Sequence, residues 1–401
     1  MHSSPFRALT GYRVLPATVG WPTLLIAFLA RAPFAMVPLG TLSAVTASTH
    51  SVATGGLATA VVSLTSAIAA PVIGRGSDRW GQRPLLLALV PLNALALAVL
   101  SWAVLAPWSG PRLILACFAV GATVLPIGSF TRARWVSRMR TPHDLAAAFS
   151  YESMADEATF VLGPALVGLA STTVPAAPLV LATVLVVVAC LPFALGAPHT
   201  RPRSSHTGSR PPFLWVLARV APAVVVMASI GTFFGAVQAA TTQRATLLGS
   251  PASAGLVYAL MGIGSAAMSL AVVALPDSWR LPHRILVGGG AMAVFMVQIS
   301  WVSGLAATAL LLALTGFFVG PTMVSAFTVA ERRSPDGGTA LAMTLLAAAV
   351  TVGVSLGSGL GGALAQQGPG RAYLLAAAAS LLIVLVPLAR VPRPRGDGPT
   401  S

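Results

Sequence analysis

Apolar runs of about 20 residues, separated by short polar breaks, recur along the whole of this 401-residue chain. Wound as a helix, a run of about 20 residues crosses the roughly 30 Å hydrocarbon core of a bilayer. Twelve runs are legible, at 21–42, 52–73, 84–105, 112–131, 146–170, 177–196, 220–242, 253–275, 284–302, 305–328, 339–365 and 371–390. A membrane barrel would instead alternate polar and apolar residues over about ten positions, and no such alternation occurs. Apolar residues make up 56% of the chain and charged residues 8%, against about 25% charged in a soluble domain. So little charge cannot wet a water-facing surface. The expected fold is all-α and integral to the membrane.

The net charge of +15 would suggest nucleic acid in a soluble protein, but here it has a topological use. All 24 basic residues are arginine. Placing the N-terminus inside puts nearly all of them in cytoplasmic segments, as the positive-inside rule demands. Apart from Arg31, only Arg112, Arg244 and Arg371 then fall outside. An even number of spans with both termini cytoplasmic is the simple solution. Arg7 and Arg13 before the first apolar run superficially resemble a secretory signal. Arg31 interrupts that run, however, and it reads as an uncleaved first helix. Cys117 and Cys190 both lie in apolar runs and read as small buried side chains, with too few partners for a disulfide framework or metal site.

The halves repeat weakly. A shift of 194 residues lays Ala148, Ser150, Gly163 and Gly168 over Ala342, Thr344, Gly357 and Gly362, matching span five to span eleven. The expected organisation is a six-helix bundle over 1–196, a cytoplasmic linker rich in Arg, Ser, His and Pro over 197–212, and a second bundle with a short tail over 213–401. Repeated halves with a site between them near mid-membrane are the plan of many secondary transporters.

Between spans two and three the chain reads Gly74-Arg-Gly-Ser-Asp78-Arg79-Trp-Gly81-Gln-Arg83-Pro84. This resembles the G-x-x-x-D-R-x-G-R-R signature of the major facilitator superfamily. Gly74, Asp78, Arg79, Gly81 and Arg83 match, and Gln82 departs where a basic residue is usual. Gly74 is expected to allow close helix approach and Gly81 a tight turn. The resemblance implies two pseudo-symmetric six-helix bundles. It also implies that Asp78 meets the cytoplasmic end of span eleven, near Asp336-Gly337-Gly338-Thr339, in the outward-facing state. A helix N-terminus favours an anion there.

Arg31 in span one and Glu152, Asp156 and Glu157 in span five are the ionisable residues expected deep in spans. A charge at the helix centre costs about 2.5–3.5 kcal/mol on insertion scales, so such groups should pair or face a cavity. Glu152 and Asp156 are four apart and share a face. Glu157 is turned about 100° from Asp156. Arg31 lies at a matching depth, and the resemblance places spans one and five side by side at the central cavity. Three acids sharing one guanidinium cannot all be neutralised by it, so a proton or substrate relay is expected here. A purely structural ion pair is the alternative.

Phe160-Val-Leu-Gly163-Pro164-Ala-Leu-Val-Gly168 is similar to the G-P-x-x-G-G stretch of superfamily antiporters, with the glycine single and one place late; a plain kink is the other reading. Drug–proton antiporters of the superfamily carry an Arg four residues before a span-four Gly, and here Cys117 precedes Gly121. Gly128-Ser-Phe-Thr-Arg132-Ala-Arg134-Trp135 closes span four, and Arg132 and Arg134 read as cytoplasmic anchors. Thr232, Gln238, Thr241 and Thr242 are cavity candidates in span seven.

Together these features point to a secondary transporter, not an enzyme, in a bacterial inner membrane. The expected activity is export of a small amphipathic compound, such as an antibiotic or secondary metabolite, by proton antiport. A sugar or metabolite carrier is the alternative, although the second half is poor in polar side chains. No cofactor is expected, only a proton gradient. The expected partners are the substrate and the lipid bilayer, with no nucleic acid and no obligate protein partner, and the chain is expected to work as a monomer. A membrane enzyme would need acids or histidines in larger outer loops, where only His50 occurs.

Overall fold

No water is available in hydrocarbon to bond a backbone amide, so each apolar run must satisfy its own amides as a helix. The computed structural model describes residues 14–106, 108–139, 141–197, 212–271, 281–335 and 339–386, and among them every regular element is helical. The first half contains α1 (Val14–Val19), α2 (Trp21–Leu29), α3 (Ala32–Thr49), α4 (Val52–Trp80), α5 (Gln82–Leu105), α6 (Pro111–Ala122), α7 (Ile127–Arg138), α8 (Pro142–Ala170), α9 (Ala177–Leu185) and α10 (Leu191–Leu195). The second contains α11 (Phe213–Leu247), α12 (Ser253–Ala271), α13 (Leu281–Trp301), α14 (Leu305–Arg333), α15 (Thr339–Gln366) and α16 (Pro369–Leu385). Among the described residues, nine helical segments are long and apolar enough to cross a membrane, and two shorter apolar helices accompany them. Their outer faces are as apolar as their inner ones. On α5, Leu86, Leu97 and Leu100 are buried while Leu92, Leu95 and Trp102 are exposed, the all-round pattern of a lipid-facing helix.

Three spans that read as continuous are broken. Span one breaks between α2 and α3 at Ala30 and Arg31, where Pro33 has no amide hydrogen to continue the ladder. Span four breaks over Thr123–Pro126, ahead of α7. The Val120 carbonyl beside that break accepts from Asn93 Nδ2 at 3.3 Å, and the same amide donates to Thr123 Oγ1 at 3.1 Å. Span six widens to a π-helix over Val186–Cys190 just before Pro192, a usual response to a missing donor. Two helix starts, those of α4 and α8, carry a side-chain cap. Ser51 Oγ accepts from Thr54 N at 3.2 Å and Thr141 Oγ1 from Asp144 N at 3.1 Å.

Packing divides the chain into two units, Met1–Ser204 with Ser250–Ala259, and Ser205–Gly249 with Leu260–Ser401. The predicted linker, apart from its end residues 197 and 212, lies outside the described residues. Within the first unit, α3 packs on α8. A Cβ on Gly163 would stand 2.8 Å from Ala35 Cβ. Within the second, α11 packs on α15, and a Cβ on Gly357 would overlap the Thr232 carbonyl oxygen. Gly357 follows Gly163 by 194 residues, and Thr232 follows Ala35 by 197. The same helix pair therefore meets at the same point in both units, which gives the weak sequence repeat a structural counterpart.

Candidate functional site: a buried ion-pair cluster

The break in span one sets Arg31 at a helix joint, where its side chain turns toward α7 and α8. Arg31 is 4% exposed and Glu152 1%. Arg31 Nη1 donates to the Ala27 carbonyl at 3.1 Å, and Nη2 donates to Thr131 Oγ1 at 2.6 Å and to Glu152 Oε2. The Thr131 hydroxyl lies 2.5 Å from Glu152 Oε2 and 3.0 Å from the Gly128 carbonyl, and its single proton can serve only one of them at a time. The indole N–H of Trp135 donates to Glu152 Oε1 at 2.7 Å. Both oxygens of Glu152 are thus held, by a guanidinium, a hydroxyl and an indole.

Asp156 lies one turn further along α8, on the same face as Glu152. Its Oδ1 is 3.2 Å from Arg31 Nε, an electrostatic contact without hydrogen-bond alignment, and its Oδ2 accepts from Arg132 Nη2 at 2.5 Å. Asp156 and Arg132 are partly exposed, at 32% and 41%, so water weakens this pair relative to the inner one. A Cβ on Gly128 would lie 3.4 Å from both Arg132 Nη1 and Asp156 Oδ1. A side chain there would touch the Arg132–Asp156 pair directly. A small cavity of about 20 Å³, lined by Thr23, Tyr151, Glu152 and Trp135 among others, adjoins it and can hold roughly one water.

Arg31, Glu152 and Asp156 thus come together as their depths imply. Among the described side chains Arg132 joins Arg31 as a second cation, and the side chain of Glu157, the third acid, lies outside the described residues. Sequence reasoning missed Thr131 and Trp135 as ligands of Glu152. Their four-residue spacing on α7 put them on one face, but nothing in the sequence said which helix that face met.

Arg134 is also more than an anchor. It is 6% exposed, donates through Nε to Gln82 Oε1 at 3.0 Å and through Nη2 to the Phe193 carbonyl at 3.1 Å, and lies 3.7 Å from the Phe193 ring centroid.

The motif between spans two and three is hardly a loop. α4 runs through Trp80 and α5 starts at Gln82, leaving Gly81 at φ +91° as the joint. Glycine is required there. Gly74 does not mediate close helix approach, since a Cβ on it would meet nothing within 4 Å. Arg79 lies over the Trp80 ring at 5.8 Å and is exposed. Arg83 is half-buried. The side chain of Asp78 and all of Asp336–Gly338 lie outside the described residues. Gly168, in the other motif, packs on Leu256 of the Ser250–Ala259 stretch, and Pro164 sits inside α8. Cys117 and Cys190 are buried free thiols.

The second unit also holds a buried charge, near the end of α11. Arg244, expected in an outer segment, is 4% exposed within α11. It donates to Thr308 Oγ1 at 2.8 Å and the Ile299 carbonyl at 3.0 Å, with its guanidinium 4.6 Å from the Tyr373 ring centroid. Tyr373 in turn shares a 2.9 Å hydrogen bond with Thr241. Thr232 bonds back to the Ala228 carbonyl at 3.0 Å. Gln238 and Thr242 are buried, with Oε1 and Oγ1 unpaired.

The family model described as Major Facilitator Superfamily matches residues 23–340 and 239–401. The chain belongs to the major facilitator superfamily. No curated protein sequence gives a match. Solved structures share its fold at low identity. The nucleoside transporter NupG superposes with a TM-score of 0.69 at 15% identity, covering 90% of this chain and 96% of that one. A D-xylose-proton symporter gives 0.71 at 15%, covering 92% and 97%. The human organic anion transporter MFSD10 (TETRAN) gives 0.61 at 15%, covering 96% and 100%. As a member of that superfamily the chain is a multi-pass membrane transporter and not an enzyme.

Proposed function

We propose that this transporter exports a small amphipathic organic compound in exchange for protons, by alternating access. The observation that carries the reading is the cluster of Arg31, Arg132, Glu152 and Asp156 on adjoining helices of the first unit. Charged groups at membrane depth are costly and mark ion pathways. Asp156 is the member suited to carry the proton. It is partly exposed and open to water, whereas Glu152 is enclosed. A proton on Asp156 Oδ2 breaks its contact with Arg132 and frees α8 to shift against α7.

The apolar character of the second half favours an amphipathic compound. α15 consists almost wholly of Ala, Gly, Leu, Val, Thr and Ser, and the Thr241 hydroxyl is committed to Tyr373. A sugar or nucleoside carrier is the second reading, favoured by likeness to a D-xylose-proton symporter and a nucleoside transporter. In the topology proposed with this function, twelve spans cross a bacterial inner membrane with both termini in the cytoplasm. The protein acts as a monomer, driven by the proton gradient without a cofactor.

The test is uptake of a compound panel into inverted vesicles under an imposed pH gradient. Gradient-driven accumulation of amphipathic compounds is expected. Accumulation of sugars or nucleosides instead selects the second reading, and uptake that ignores the gradient rejects proton coupling.

A further inference from the structure

The residue at which the motif departs from its family pattern is joined to the charge cluster. Gln82 is 5% exposed and begins α5 immediately after the Gly81 joint. Its Oε1 accepts from Arg134 Nε at 3.0 Å, and its Nε2 reaches the Phe130 carbonyl at 3.5 Å. Phe130 and Arg134 are one turn apart on α7. The residues that follow each of them, Thr131 and Trp135, are the two α7 side chains that hold Glu152. Arg134 is fixed from its other side by the ring and carbonyl of Phe193.

We propose that Gln82 is a positioning residue that sets α7 so that Thr131 and Trp135 enclose Glu152, tying the Gly81 joint to the carboxylate cluster. The arrangement also accounts for the departure. A basic side chain at 82 would face the Arg134 guanidinium in a buried site, where like charges repel strongly. A neutral carboxamide can accept from Arg134 and donate to the Phe130 carbonyl at once. Movement at Gly81 during transport would then reach Glu152 through Gln82 and α7. The proton-coupling role of that movement rests on the function proposed above; the positioning itself does not.

The test is labelling of Glu152 by dicyclohexylcarbodiimide in the purified full-length transporter in detergent. Labelling is read by peptide mass spectrometry against the exposed Glu331. In the wild type the enclosed Glu152 should label slowly. Gln82→Arg should raise labelling roughly tenfold, as expected when a locally closed site loses a charge-assisted hydrogen bond. Gln82→Leu, which loses the acceptor without adding charge, should raise it in the same direction. Gln82→Glu keeps an acceptor for Arg134 and loses only the long contact with the Phe130 carbonyl, so it should label far less than Gln82→Leu. The double variant Gln82→Arg with Arg134→Gln restores a donor and an acceptor, and should fall well below Gln82→Arg alone. The proposal is overturned if Gln82→Leu and Gln82→Arg label like the wild type. It is equally overturned if the double variant labels as heavily as Gln82→Arg, which marks general loosening. Labelling needs neither substrate nor gradient. A transporter that ignores the pH gradient but labels as expected loses the coupling reading and keeps the positioning.

Discussion

Trp135 donates its indole N–H to Glu152 Oε1 at 2.7 Å, from a helix that meets the acid's own helix inside the first unit. Phenylalanine in its place keeps an aromatic ring, though a smaller one, and removes the donor. A buried acceptor left unmatched costs about 1–3 kcal/mol. Trp135→Phe should lower the midpoint of thermal unfolding in detergent, and Trp135→His, which can still donate, should recover part of the loss.

Arg31 and Glu152 form the enclosed pair. Removing one partner of a buried pair costs about 3–5 kcal/mol, because it strands the other charge, whereas removing both can be nearly neutral. Arg31→Gln or Glu152→Gln alone should therefore cut the yield of folded protein sharply. The double variant should insert and fold better than either single one. Size-exclusion profiles and melting curves of the three variants check this.

The glycines separate into those that carry packing and those that do not. Gly163 and Gly357 stand where a Cβ would overlap the facing helix, while a Cβ on Gly74 meets nothing. Gly163→Val and Gly357→Val should each prevent correct assembly of their unit. Gly74→Ala should leave stability within about 0.5 kcal/mol of wild type, as for an open surface site. Expression and melting of the three variants distinguish these outcomes.

Arg244 needs a planar fork to reach Thr308 and the Ile299 carbonyl while lying over Tyr373. Lysine keeps the charge but not the fork. Arg244→Lys should destabilise the protein more than Tyr373→Phe, which loses only a neutral hydrogen bond with Thr241, about 1 kcal/mol. Denaturation in detergent checks the order.

The length of the apolar runs made the helices legible because a bilayer forces each run to bond its own backbone. The breaks were less legible. Pro33 and Pro192 lie inside apolar runs, and membrane helices often tolerate proline, so position alone did not say that the helix would part at Arg31 or widen at Val186–Cys190. Arg31, Glu152 and Asp156 announced themselves by charge in an apolar context. Thr131 and Trp135 did not, since a hydroxyl and an indole are ordinary at a membrane helix end. Arg132 and Arg134 obeyed the positive-inside pattern so well that it hid their contacts with Asp156 and Gln82. Arg244 reads as an outer-segment residue because the apolar run ends before it, and nothing in the sequence showed its contacts with Thr308, Ile299 and Tyr373.

The most direct measurement compares wild type and Asp156→Asn in inverted vesicles, with and without an imposed pH gradient. The amide keeps the shape of Asp156 and cannot carry the proton. Wild type should accumulate its compound only under the gradient. Asp156→Asn should lose that accumulation while still exchanging labelled for unlabelled compound at equal pH. Gradient-driven accumulation in Asp156→Asn equal to that of the wild type would contradict proton coupling through the Arg31–Asp156–Arg132 cluster.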